Sequence, residues 1–150
     1  GDTEDTMHIT LETDYAIRIV YSLARSGRRT DAKSLSQQTG VTLRFALKIL
    51  RKLVASGIVR SFKGTQGGYE IARPLEEITL RDVIETVEGP YAISRCVEQK
   101  EDFCCSNPES GGCGCRFHDI FADISAMVNE KLEAVRFSDL VERAKEKAKT

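Results

Sequence analysis

The stretch Asp31-Ala32-Lys33-Ser34-Leu35-Ser36-Gln37-Gln38-Thr39-Gly40-Val41-Thr42-Leu43-Arg44-Phe45-Ala46-Leu47-Lys48-Ile49-Leu50-Arg51-Lys52-Leu53 decides the fold. Asp31 is placed to cap a short helix over residues 32–38, and Gly40 ends it by permitting a left-handed turn. Thr42 then caps a second, longer helix. Its apolar positions Phe45, Ala46, Ile49, Leu50 and Leu53 recur at helical spacing and predict the buried face, up to a stop at Gly57. Short helix, glycine-containing turn and longer helix form a helix-turn-helix, whose second helix enters the major groove of duplex DNA with its N-terminal residues on base edges. The polar face of that helix carries Thr42, Arg44, Lys48, Arg51 and Lys52. A plain amphipathic helix also turns charges outward, but here they are all of one sign, which favours a polyanion as partner.

Upstream, Ala16, Ile19, Val20 and Leu23 fall on one helical stripe that Gly27 terminates, which predicts a first, core-forming helix. Downstream the period changes. Residues 58–62 and 69–72 read as two strands around Lys63-Gly64-Thr65-Gln66-Gly67-Gly68, a hairpin with a glycine-rich tip. Glycines allow the backbone to approach a phosphate closely, and Arg60 and Lys63 add charge, so the hairpin reads as a wing lying along DNA. The expected DNA contacts are Thr42, Arg44, Phe45, Lys48 and Lys52 on the helix and Arg60, Lys63, Gly64, Gln66 and Gly67 on the wing. Phe45 thus counts both toward the buried face and toward the contacts.

Pro74 closes the hairpin, and Thr79 with Asp82 forms a capping box for a fourth helix carrying Leu80, Val83, Ile84 and Val87, which Gly89-Pro90 ends. A long amphipathic helix later in the chain aligns Ile120, Phe121, Ile124, Met127, Val128, Leu132 and Val135. That stripe is too long for so small a domain to cover, which predicts packing against a second copy and hence a homodimer. A last polar helix over residues 138–148 is expected to dock through Leu140, Val141 and Ala144.

The 150 residues, 41% hydrophobic and 30% charged, suit one compact domain with an attached arm. The expected class is mainly α: a winged helix-turn-helix with a small β-hairpin wing, a cysteine-rich loop and a long dimerisation helix. Its expected divisions are an appended remnant over residues 1–6, a DNA-binding domain over 7–90, a cysteine-rich loop over 91–118 and the dimerisation and C-terminal helices over 119–150. The net charge of -1 hides an asymmetry: residues 8–73 carry 12 Lys/Arg against 4 Asp/Glu, and residues 74–150 carry 10 against 16. The basic half is the one with the helix-turn-helix, so counterion release on a phosphate backbone favours nucleic acid. No apolar run approaches the roughly 20 residues needed to span a bilayer, and the acidic start is unlike a secretory signal, so the expected location is the cytoplasm, with no membrane partner. No glycine-rich phosphate loop, Ser-His-Asp set or paired-carboxylate cleft stands out, which argues against an enzyme.

Cys96, Cys104, Cys105, Cys113 and Cys115 crowd into twenty residues, with His118 three positions beyond the last. In a reducing compartment an odd count of thiols at this density points to a metal site rather than to disulfides. Zinc is the default occupant. The spacing lacks paired C-x2-C knuckles, however, and leaves an iron-sulfur cluster as a competitor. Direct thiol-disulfide sensing at Cys104-Cys105 is a third reading.

Together these features resemble the Rrf2 family of winged-helix regulators, which includes the IscR-, NsrR- and RirA-type repressors, over nearly the whole chain from Met7. The likeness rests on Met7-His8-Ile9-Thr10 with Thr13-Asp14-Tyr15-Ala16, on Leu50 through Val59 leading into Lys63-Gly64-Thr65-Gln66-Gly67-Gly68-Tyr69, on Ile78-Thr79-Leu80-Arg81-Asp82-Val83-Ile84, and on the cysteine loop. It implies a homodimeric repressor that reads a palindromic operator and senses through a 2Fe–2S or 4Fe–4S cluster. It maps the ligands onto Cys96, Cys104 and Cys115 with one non-cysteine ligand, either His118 or Asp14. The stretch from Cys104 to Cys115 is longer than the family's usual spacing and adds Cys105 and Cys113 as alternates.

Overall fold

The computed structural model describes residues 9–93 and 116–149. Its elements, in chain order, are α1 (Leu11–Ser26), α2 (Ala32–Thr39), α3 (Leu43–Ala55), β1 (Val59–Phe62), β2 (Gly68–Ile71), a 3-10 turn (Leu75–Glu77), α4 (Leu80–Glu88), α5 (Arg116–Ala134) and α6 (Phe137–Lys149). This is a mainly helical winged helix-turn-helix, as the sequence predicts. The helix starts are set by local capping: Thr10 accepts from the Thr13 N–H, Asp31 from Ser34 and Thr42 from Phe45. Thr79 and Asp82 complete a reciprocal capping box at α4. The Ser34 backbone N–H that Asp31 accepts holds that exposed carboxyl below its ordinary value. Gly40, at φ 74, supplies the left-handed turn between α2 and α3.

The core gathers one face from each element: Ala16, Ile19, Val20 and Leu23 of α1, Leu35 of α2, Ala46, Ile49, Leu50 and Leu53 of α3, and Ile58, Val59, Ile78 and Val83 beyond them. Burying each of the valine, leucine and isoleucine side chains contributes about 1.5–3 kcal/mol. Phe137 completes this core at 0% exposure, although it belongs to the last helix. It arrives there because the chain leaving α5 pairs with the strand-like entry to α4. Leu80 N–H donates to the Val135 carbonyl at 2.9 Å, and Phe137 N–H to the Ile78 carbonyl at 3.0 Å. The sequence reading begins the docking residues of this helix at Leu140 and so misses its deepest anchor.

β1 and β2 are antiparallel, in the register Val59↔Ile71 to Phe62↔Gly68. An isolated bridge adds Thr30, whose N–H and C=O both pair with Tyr69 at 2.8 Å. The wing is therefore stitched to the segment between α1 and α2.

The long apolar stripe of α5 divides between two faces. Phe121, Val128, Leu132 and Val135 are partly buried, while Ile120, Ile124 and Met127 are 50%, 36% and 69% exposed, continuous with Phe117 at 67%. Polar contacts fix the inner side. The Ile93 N–H donates to the buried Ser125 hydroxyl at 2.9 Å, Asn129 Nδ2 donates to the Tyr91 carbonyl at 3.2 Å, and Arg81 of α4 pairs with Glu133 at 3.1 Å.

Candidate nucleic-acid interface

Because Ala46, Ile49, Leu50 and Leu53 anchor α3 in the core, the opposite side of the helix must face outward. Thr42 is spent on the cap, accepting from the Phe45 N–H at 3.3 Å. Arg44, Phe45, Leu47, Lys48 and Arg51 line a shallow depression on the outer face. Phe45 is 39% exposed, so it does not belong to the buried face; it lies edge-on to Tyr15 of α1 at 5.9 Å and 78°. The reason is angular: position 45 falls on the shoulder of the helix nearest α1, where an aromatic neighbour covers it only partly.

The basic side chains of α3 differ in their surroundings. Arg44 and Arg51 are exposed. Lys52 pairs with Glu12 of α1 at 2.8 Å, and Lys48 approaches the same carboxylate oxygen at 3.8 Å. Glu12 is thus a built-in counterion at the edge of the basic face, which the one-sign pattern of α3 by itself does not reveal.

The wing tip is a tight turn in which the Gly67 N–H donates to the Gly64 carbonyl at 2.9 Å. A Cβ at Gly67 would lie 2.6 Å from the Phe62 carbonyl oxygen, so only glycine fits there. Lys63 and Gln66 are exposed on the tip, and Arg60 is exposed with Glu70 at 3.8 Å. Arg29 is the residue that sequence reasoning missed. Its guanidinium lies 3.3 Å from the centre of the Phe62 ring, donates to the Gln66 carbonyl at 3.1 Å and sits 3.8 Å from Glu70. An arginine in the loop after α1, second of the pair Arg28-Arg29, carries no periodic signal that would tie it to a hairpin more than thirty residues away.

Of the residues expected to hold a cofactor, Cys96, Cys104, Cys105, Cys113 and Cys115 lie outside the described residues. Asp14 forms an i,i+4 ion pair with Arg18 at 3.0 Å. His118, in the first turn of α5, has a buried Nδ1 with no hydrogen-bond partner among the described residues. Among the described residues no three His, Cys, Asp or Glu side chains come together to hold a metal ion, and no helix is long and apolar enough to cross a membrane.

Residues 9–143 match the family described as Rrf2, iron-dependent transcriptional regulator. Protein aau3 of Rhizobium meliloti is 34% identical over 109 residues, which cover 72% of this chain and 69% of that protein. Among solved structures, CymR, described as the global cysteine regulator of B. subtilis, superposes with a TM-score of 0.71 at 23% identity, covering 92% of this chain and 98% of that one. T. potens IscR superposes with a TM-score of 0.68 at 21% identity, covering 92% and 88%. These two likenesses establish the shared fold. The family match spans most of the chain, and the family's members are regulators rather than enzymes. The chain therefore belongs to the Rrf2 family of winged-helix, DNA-binding transcription regulators.

Proposed function

We propose that this chain acts as a cytoplasmic homodimer that represses from a palindromic operator and whose DNA affinity is set by an iron-sulfur cluster. The observation that carries the DNA-reading part is the outward face of α3, where Arg44, Lys48 and Arg51 border a common depression while the opposite face is locked in the core. In this reading the N-terminal turn of α3 meets base edges, with Arg44 and Lys48 one turn apart, and Arg60, Lys63, Gly64, Gln66 and Gly67 follow the phosphate backbone as a wing. A second copy covers Phe117, Ile120, Ile124 and Met127, because a twofold reader of two half-sites needs a twofold interface.

The residues present fit a cluster by their donor chemistry. Five thiols precede α5 in the sequence, and the imidazole of His118 brings a buried nitrogen that no group among the described residues satisfies. A buried polar atom without a partner is costly, and a metal bond is one way to satisfy it. Asp14 already has its cation in Arg18, which favours His118 as the fourth ligand beside Cys96, Cys104 and Cys115. When bound, the cluster supplies a centre whose redox state or loss reports on iron, nitric oxide or oxidants. The chain's own part is mechanical. His118 stands at the start of the helix that carries the dimer face, so a change at the imidazole shifts how α5 sits, and with it the spacing of the two recognition helices.

The experiment is anaerobic purification followed by iron and sulfide analysis, sedimentation, and duplex binding by holo and apo protein at one salt concentration. Stoichiometric iron and sulfide, a dimer mass and unequal affinities are expected. Stoichiometric zinc without iron, or equal affinities, overturns cluster control, and a monomer under both conditions overturns the assembly.

A further inference from the structure

Besides Phe45, which lies edge-on to Tyr15, the outward face of α3 holds two further large apolar side chains that the core does not take. Leu43 is 44% and Leu47 is 40% exposed, whereas Leu50 and Leu53 of the same helix are fully buried. Residues four apart lie one turn above each other, so the pair forms a single apolar strip on one edge of the helix. Leu43 directly follows the Thr42 cap and therefore sits in the turn that a helix-turn-helix reader presents first to the major groove. Leu47 lies among Arg44, Lys48 and Arg51, in the depression that they line together.

An apolar strip bordered by cations complements a partner that is anionic at its rims and apolar at its centre. The major groove is such a partner: phosphates run along both edges, and thymine is the base that places a methyl group on its floor. A leucine cannot satisfy the amino group of adenine or cytosine, so it disfavours those bases at the positions it covers while favouring thymine. We propose that Leu43 and Leu47 form a methyl-reading patch through which the chain selects duplexes carrying thymines opposite the first turns of α3. The proposal deepens the DNA-reading assignment of α3 above and rests on it.

The test starts from a library of duplexes with a random interior, enriched by the purified full-length protein at fixed salt. The best-enriched duplex is remade with single deoxyuridines in place of thymines, which removes the methyl group and leaves every hydrogen-bonding group in the groove. Wild type is expected to lose about fourfold in affinity for each methyl group that the patch buries. The Leu43→Ala/Leu47→Ala double variant is expected to bind the thymine and uracil duplexes alike, with an unchanged thermal midpoint because both side chains are exposed. Equal binding of thymine and uracil duplexes by wild type at every position, while Arg44→Ala still weakens binding, overturns methyl reading and leaves the DNA-reading face standing. Unchanged binding by both Arg44→Ala and Lys48→Ala, or no enriched duplex, overturns the assignment of α3 and the patch with it. Should the double variant fail to fold, the position-by-position uracil response of wild type decides by itself.

Discussion

Glu12 illustrates how one carboxylate changes the meaning of a whole helix face. Its oxygen stands 2.8 Å from Lys52 and 3.8 Å from Lys48, so both lysines have a counterion before any phosphate arrives. A phosphate must compete with that carboxylate, which lowers the return from each lysine. Replacing Glu12 by Gln is expected to tighten duplex binding and to steepen the salt dependence by about 0.9 in log-log slope for each lysine transferred to phosphate. Titrations over a salt series measure both. An unchanged slope would place the two lysines off the DNA. Thermal stability is expected to change little, since partly exposed ion pairs contribute about 0–1 kcal/mol. The charges of α3 were legible in the sequence, but their pairing was not: Glu12 lies 36 and 40 positions away, on a helix whose own pattern says nothing about α3. The Asp14–Arg18 pair, by contrast, spans one helical turn and follows from spacing alone.

At the scale of the element, the wing shows a hairpin that is legible and an attachment that is not. Alternation and glycines announce β1, β2 and the tip. Nothing local announces that Thr30 will extend the hairpin by two backbone hydrogen bonds, or that Arg29 will lie on Phe62. Gly68 makes the attachment possible. Its φ is 144, and a Cβ there would lie 2.8 Å from the Thr30 carbonyl oxygen. A Gly68→Ala variant must therefore push Thr30 away from Tyr69, at a cost of about 1–3 kcal/mol. Far-ultraviolet circular dichroism should keep its helical signal while the thermal midpoint and duplex affinity both fall. Retained affinity would show that the wing's position does not matter for binding.

At the scale of the whole molecule, Phe137 joins the C-terminal helix to the winged-helix body. It is fully buried in the common core, and the bridge between Thr79 and Arg136 holds the chain on either side of it. Truncation to alanine leaves a cavity and is expected to cost about 3–5 kcal/mol, read as a lower midpoint in urea denaturation. A loss below about 1 kcal/mol would mean that α6 docks independently of this ring. The sequence by itself determined what is decided within a turn or two of chain: the caps at Asp31, Thr42 and Thr79, the buried stripe of α1, those of α3 apart from Phe45 and of α4 at Val83 and Ile84, and the hairpin. Such features depend on hydrogen bonds and periodicities among near neighbours. The tertiary structure alone decided which charges are already paired, that Arg29 and Thr30 hold the wing, and that Phe137 enters the core. It also decided that Leu43 and Leu47 stay outside and that Ile120, Ile124 and Met127 of the α5 stripe stay exposed. Those outcomes depend on where distant segments meet, and the free energy of a contact between them is set by geometry that no local pattern encodes.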